Sequence, residues 1–156
     1  MTDKLIVSPA QYFEYCATLS HKIINENWID DNTVLIALAR GGLPLGVYLS
    51  HHLNLQLYAC YCAKYAMDEA NEARSGVVDF IAPNLSHLKD PNIIVCDDIC
   101  DTADTLSTVK EALSEYTTKF VTMYAAKEGK KWIEENKGIY EADADRWVVF
   151  PYEENR

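Results

Sequence analysis

The sequence predicts an α/β fold with a central, mainly parallel sheet flanked by helices, and three observations carry that expectation. The short continuous apolar run Val34 to Ala39 suits a strand covered on both faces. Arg40-Gly41-Gly42 ends it, Leu43 to Leu53 can form a helix with Pro44 in its first turn, and Leu55 to Ala63 can form the next strand. Strand, glycine turn, helix and strand in that order make a parallel crossover. A further apolar run, Ile93 to Val95, leads through Asp97 and Asp98 into a hydroxyl-rich turn, beyond which Leu106, Val109 and Leu113 recur at helical spacing. With 156 residues, 49% of them hydrophobic, the chain suits a single domain spanning residues 1–156 with a sizeable core.

The remaining elements follow in order. Ser8 reads as a helix N-cap, with Pro9 at the first helical position and Gln11 able to complete a capping box; Tyr12, Cys16, Leu19 and Ile23 then mark one apolar face. Residues 64–83 are polar, then weakly β-like, and show no sustained period, which fits either an active-site flap or an ordinary surface excursion. Lys119 to Ala126 reads as another strand, ending at Lys127. Lys130 to Lys137 is polar, Gly138 is a break, and the aromatic segment Trp147 to Tyr152 is apolar enough to pack against the domain.

The formal net charge of −10 argues against a broad nucleic-acid footprint, which concentrates Lys and Arg on one face. No window has the apolar length of a membrane span, and MTDKLIVSPA lacks the pattern of a secretory signal, so a cytoplasmic location is expected. The five cysteines, Cys16, Cys60, Cys62, Cys96 and Cys100, lie mostly in apolar stretches and read as buried thiols. Cys60 and Cys62 share a strand face, yet no second Cys/His pair completes a zinc set.

The chemistry concentrates where strands end. In IIVCDDICDTADTL, a carboxylate pair, hydroxyls and the N–H groups of a helix start share one turn, an arrangement suited to an anion or a metal-bound anion. Taken alone, Asp97 and Asp98 serve equally as solvated acids, and Asp101 or Thr102 as a helix cap. Arg40 followed by glycines can simply end a strand, or can present a guanidinium beside exposed N–H groups to pyrophosphate. Lys127 and Trp147 rise above solvent-facing or core roles only through their placement near other strand ends.

Together these residues resemble the type I phosphoribosyltransferases, and among them the short bacterial xanthine-guanine enzymes of 6-oxopurine salvage. IIVCDDICDTADTL is similar to that family's phosphoribosyl-pyrophosphate signature, and ALARGG, FVTMYAAK and DRWVVFPYE support it in the family's order. The resemblance implies the type I phosphoribosyltransferase fold, with a flexible active-site loop at about 64–83 and a small base-binding hood at about 139–156. It implies that Asp97 and Asp98 contact the ribose hydroxyls and organise Mg2+, that Asp101 is the catalytic acid or base beside purine N7, and that Thr102, Ala103, Asp104 and Thr105 cradle the 5′-phosphate. Arg40 and Gly41 would bind pyrophosphate, and the peptide before that arginine can be cis in the family. Lys127 would donate to the purine 6-oxygen, Trp147 would stack on the ring, the Val148 backbone would meet the 2-position edge, and Glu153 would reach the metal directly or through water. A homodimer or homotetramer is implied as well. Two departures stand out: the family's phosphate turn has glycine where this chain has Ala103, and its loop carries a Ser-Tyr pair where Lys64-Tyr65 stands here.

The expected activity is transfer of a phosphoribosyl group from phosphoribosyl pyrophosphate to guanine, xanthine or hypoxanthine, forming the nucleoside 5′-monophosphate. A nucleotide-sensing protein of the same fold, with weak or no catalysis, is the alternative that Ala103 favours. A phospho-acceptor receiver also uses an acidic pair, a threonine and a lysine, but its acids follow an early strand, whereas here they follow a late one.

Overall fold

The computed structural model describes residues 3–62 and 84–153, so the loop expected at 64–83 lies outside the described residues. The elements run β1 (Lys4–Ile6), α1 (Pro9–Asn25), β2 (Thr33–Ala39), α2 (Leu43–Leu53), β3 (Gln56–Tyr61) and β4 (Asn92–Cys100). They continue with α3 (Asp104–Ala112), β5 (Thr117–Ala125), α4 (Lys127–Glu135), β6 (Ile139–Asp143) and β7 (Trp147–Val149). Five of the strands form one sheet in the order β3-β2-β4-β5-β6, parallel at every pairing, and β1 pairs in parallel with β7 in a separate ribbon.

Local chemistry accounts for the helix starts. The Ser8 hydroxyl accepts from the Gln11 N–H at 3.1 Å, and Pro9 occupies the first turn, where a missing N–H is not felt. Tyr12, Cys16, Leu19 and Ile23 are buried along the face that their spacing marks. α2 begins at Leu43 with Pro44 beside it and ends at Asn54, whose left-handed backbone is a conformation asparagine tolerates.

Alternation along the strands divides the core. Leu35, Ala37, Ile94 and Cys96 face α1 and α2, where they join Leu19, Ile23, Leu45 and Leu49. Val34, Ile36, Ile93 and Val95 face the other way, joining Leu106 and Val109 of α3 and Ile133 of α4. Burying each Val, Leu or Ile among them stabilises the fold by about 1.5–3 kcal/mol relative to leaving it in water. Both sheet faces are therefore covered, which is why the strands read as continuous apolar runs.

The structure differs from the sequence expectation in three places. β4 extends through the acids to Cys100, because Asp97, Ile99 and Cys100 pair with Thr122, Tyr124 and Ala125 of β5. The polar stretch after Lys127 is a helix whose buried positions are only Gly129 and Ile133, too narrow a stripe to announce itself among charged neighbours. The described part of the segment expected as the hood, residues 139–153, divides: Ile139–Asp143 is the edge strand of the main sheet, and Trp147–Val149 pairs with β1. Among the described residues no helix is long and apolar enough to cross a membrane.

Candidate active site

The sheet order fixes where a ligand can enter. From β2 the chain moves outward to β3, and from β4 it moves the opposite way to β5 and β6, while β2 and β4 are neighbours. Connections diverge at this switch point and leave a crevice at the carboxyl ends of β2 and β4. Arg40-Gly41-Gly42 leaves one of these strands and Asp101 to Thr105 leaves the other.

On the β2 side the Ala39–Arg40 peptide is cis and the Arg40 side chain is exposed. Gly42 folds back, its N–H donating to the Leu38 carbonyl at 2.8 Å. Gly41 lies directly against Asp98, so a Cβ at that position would overlap the carboxylate. The glycine is needed for close approach and not for a left-handed backbone, since no described glycine has positive φ.

On the β4 side Asp97 and Asp98 alternate in direction. Asp97 Oδ1 accepts from the Asp98 N–H at 2.9 Å, and Asp98 Oδ2 lies 3.3 Å from the Tyr152 hydroxyl. Burial raises the Asp98 pKa and the nearby Glu153 charge adds to this, while hydrogen bonds from its neighbours, Tyr152 among them, pull the other way. Burial and the Asp98 charge push the Tyr152 phenol up, so it keeps its proton.

The turn after β4 departs from a conventional cap. Neither Asp101 nor Thr102 is the N-cap of α3; that position is Ala103, left-handed at φ 71° and without a side-chain cap bond. The Thr102 hydroxyl accepts from the Asp104 N–H at a long 3.4 Å. Asp101, Thr102 and Asp104 are exposed, while the Ala103 methyl is buried against the α3 face of the core. Ala103 thus adopts the backbone that glycine adopts without strain, at an expense of about 1–2 kcal/mol.

α4 is docked onto this turn by its backbone. The Gly129 N–H donates to the Asp101 carbonyl at 2.7 Å, and the Ala126 N–H donates to the Cys100 carbonyl at 3.0 Å. A Cβ on Gly129 would overlap the Cys100 carbonyl. Lys127, exposed and left-handed at φ 40°, is thereby held at the strand end beside Asp101. The Ala144 N–H donates to the Ala125 carbonyl at 2.9 Å, which starts the segment carrying Trp147 from the same edge.

Trp147 presents its indole with 61% of the residue exposed, whereas Val148 and Phe150 are buried. Glu153 closes its own turn, Oε2 accepting from the Phe150 N–H at 3.0 Å. The structure thus brings Gly41, Asp98 and the Tyr152-Glu153 turn together directly. Backbone hydrogen bonds from Ala126 and Gly129, the residues on either side of Lys127-Glu128, tie that turn to Cys100 and Asp101, and Arg40 and Thr105 follow the strands that border the crevice. Tyr152 and Gly129 had no place among the residues singled out from sequence; Gly129's only signal was a glycine among charged residues two positions past Lys127.

Asp97 and Asp98 supply hard oxygen donors of the kind Mg2+ takes. Among the described residues no three His, Cys, Asp or Glu side chains converge as a cage. A one- or two-carboxylate set fits a magnesium ion that completes its shell with water and substrate phosphate.

The phosphoribosyl transferase domain family matches residues 9–155, nearly the whole chain. The chain belongs to that family. A xanthine-guanine phosphoribosyltransferase of Idiomarina loihiensis is 28% identical over 120 residues, covering 76% of this chain and 70% of the relative. A purine phosphoribosyltransferase structure from Pyrococcus horikoshii Ot3 superposes with a TM-score of 0.73 at 24% identity, over 99% of this chain and 96% of that one. A Neisseria gonorrhoeae protein with bound ppGpp superposes with a TM-score of 0.74 at 19% identity, over 97% and 90% of the two chains. This phosphoribosyltransferase therefore has the type I fold that its signature implied.

Proposed function

We propose that this phosphoribosyltransferase converts a 6-oxopurine and phosphoribosyl pyrophosphate to the nucleoside 5′-monophosphate and pyrophosphate. The observation that carries the reading is the meeting, at one switch point, of the Arg40-Gly41 turn, the Asp97-Asp98 pair and the Asp101-to-Thr105 turn. In the reaction the bond from ribose carbon 1 to pyrophosphate breaks, its electron pair leaving with pyrophosphate, and a bond forms to a purine nitrogen. Asp101 takes the purine N7 proton. The Arg40 guanidinium and the N–H groups of its turn receive the departing charge, and the first turn of α3 holds the 5′-phosphate with Thr102 and Thr105. Asp97 and Asp98 hold the ribose hydroxyls, and with Glu153, directly or through water, they would hold magnesium. When bound, magnesium would neutralise pyrophosphate and sharpen its leaving ability.

On the base side, Lys127 donates to the 6-oxygen, Trp147 stacks on the ring and the Val148 backbone meets the 2-position edge. An ammonium donor prefers an oxo group to an amino group, so adenine is disfavoured. The full chain supplied with magnesium, phosphoribosyl pyrophosphate and guanine, xanthine, hypoxanthine or adenine should release pyrophosphate with at least one oxopurine and not with adenine. Binding without pyrophosphate release for any base would instead support a nucleotide sensor. Ala103 and the ppGpp-bound Neisseria neighbour give that second reading its footing.

A further inference from the structure

Tyr152 stands in no role in the proposed reaction, yet its hydroxyl touches both central strand ends that border the crevice. Its hydroxyl lies 3.1 Å from the Gly41 carbonyl oxygen and 3.3 Å from Asp98 Oδ2. One hydroxyl proton faces two acceptors, one on the turn after β2 and one on β4. The ring carrying it is fixed from two sides. It stacks parallel on Phe150, with centroids 5.4 Å apart and planes 1° apart, and meets Tyr12 of α1 edge-on at 5.8 Å. Phe150 is itself buried and sits edge-on to Tyr12 and Tyr124. The next residue, Glu153, is pinned to the Phe150 backbone, so the turn presenting Tyr152 is closed on itself.

The consequence is mechanical. The segment beginning at Trp147 is held by a three-residue pairing with β1, by the Val7 N–H donating to the Val149 carbonyl and by burial of Val148 and Phe150 in the core. The Gly41 carbonyl accepts the Tyr152 hydroxyl, and the same residue has no room for a Cβ on its side facing Asp98.

We propose that Tyr152 is a positioning residue, a latch whose hydroxyl ties the base-binding segment to the Gly41 turn and the Asp98 carboxylate and so sets the geometry with which that turn receives pyrophosphate. The inference rests on the proposed activity, since it assigns that turn to pyrophosphate. Tyr152 does not touch the reacting atoms; it acts through the Gly41 backbone and through Asp98.

Tyr152→Phe keeps both ring contacts and removes only the hydroxyl. Isothermal titration of the full chain with magnesium pyrophosphate should show binding weakened by about 3- to 10-fold in the variant, the worth of one hydrogen bond. The KM for phosphoribosyl pyrophosphate should rise in proportion, with kcat little changed and the unliganded melting temperature lowered by only a few degrees, since the same hydroxyl also bonds in the empty fold. Tyr152→Leu, which also removes the stack, should lower the melting temperature. Pyrophosphate affinity equal in wild type and Tyr152→Phe overturns the latch, whatever the melting temperatures do. Wild type that binds magnesium pyrophosphate but releases none with any purine defeats the proposed activity and leaves the latch to be decided by the titration. Wild type that turns over while Tyr152→Phe is indistinguishable defeats the latch alone, and wild type that binds no magnesium pyrophosphate defeats both.

Discussion

The two halves of the crevice are built to different standards. The half proposed to take the sugar phosphate sits on β2 and β4, central strands buried on both faces and paired on both edges, and its key contact is a glycine pressed against a carboxylate. The half proposed to take the base hangs on two three-residue strands, β1 and β7, which among the described residues pair only with each other, and its tryptophan is in the open. A two-stranded ribbon is marginal without packing support. Here the aromatic cluster of Tyr12, Phe150 and Tyr152 supplies it. On the proposed activity, the rigid half aligns the breaking bond and the softer half admits and releases a flat ring. Segments that open for ligands are drawn from the least stable parts of a fold.

Substitutions that perturb one half and spare the other sharpen this contrast. The largest effect is expected from Asp101→Asn, which keeps shape and removes the proposed proton acceptor. Steady-state assays should show kcat lowered by about 10²–10⁴-fold with the melting temperature unchanged, because Asp101 is exposed and only its carbonyl is structural. Gly41→Ala strikes the rigid half. The new methyl has no space beside Asp98, so thermal melts should register about 1–3 kcal/mol of destabilisation, accompanied by lost pyrophosphate affinity.

In the softer half Trp147→Ala should raise the purine KM by about 10-fold or more, the worth of one stacked ring, and leave the fold intact since the indole is mostly exposed. A melting temperature that falls as far as for Gly41→Ala would erase the distinction between the halves. Asp98→Asn tests the same distinction through pH. Burial raises the Asp98 pKa above its ordinary 3.8, so the unliganded fold binds that proton more tightly than the unfolded chain does. Stability from this group is present below the ordinary value and is lost as pH rises through the raised one. Melting curves across the acid range should show that slope in wild type and its absence in Asp98→Asn. The smallest effect belongs to Ala103→Gly, where relief of about 1–2 kcal/mol of left-handed strain is partly offset by loss of a buried methyl worth about 0.8 kcal/mol. Its melting temperature should move by only a few degrees.

Much of this organisation was legible along the chain. α1 was readable from Ser8, Pro9 and its apolar stripe, and α2 from Pro44 and its flanking glycines, because caps and amphipathic periods are local signals. β4 was read too short because acids usually mark a strand's end; here Thr122 and Tyr124 on the neighbouring strand keep the ladder going beneath them. Helix α4 was missed because its one apolar contact stripe is narrow and its docking depends on a glycine meeting a distant carbonyl.

The sequence by itself determined the α/β class, the order of the crossovers and the strand-end signature that marks the family, since each is written in spacing over a few neighbouring residues. Only the tertiary structure decided that Ala103 takes the left-handed turn, that Gly41 shelters Asp98 and that Tyr152 closes one half onto the other. Gly41 and Tyr152 stand 111 residues apart, and contact over that separation is set by how the sheet and the aromatic cluster pack, which no local pattern records.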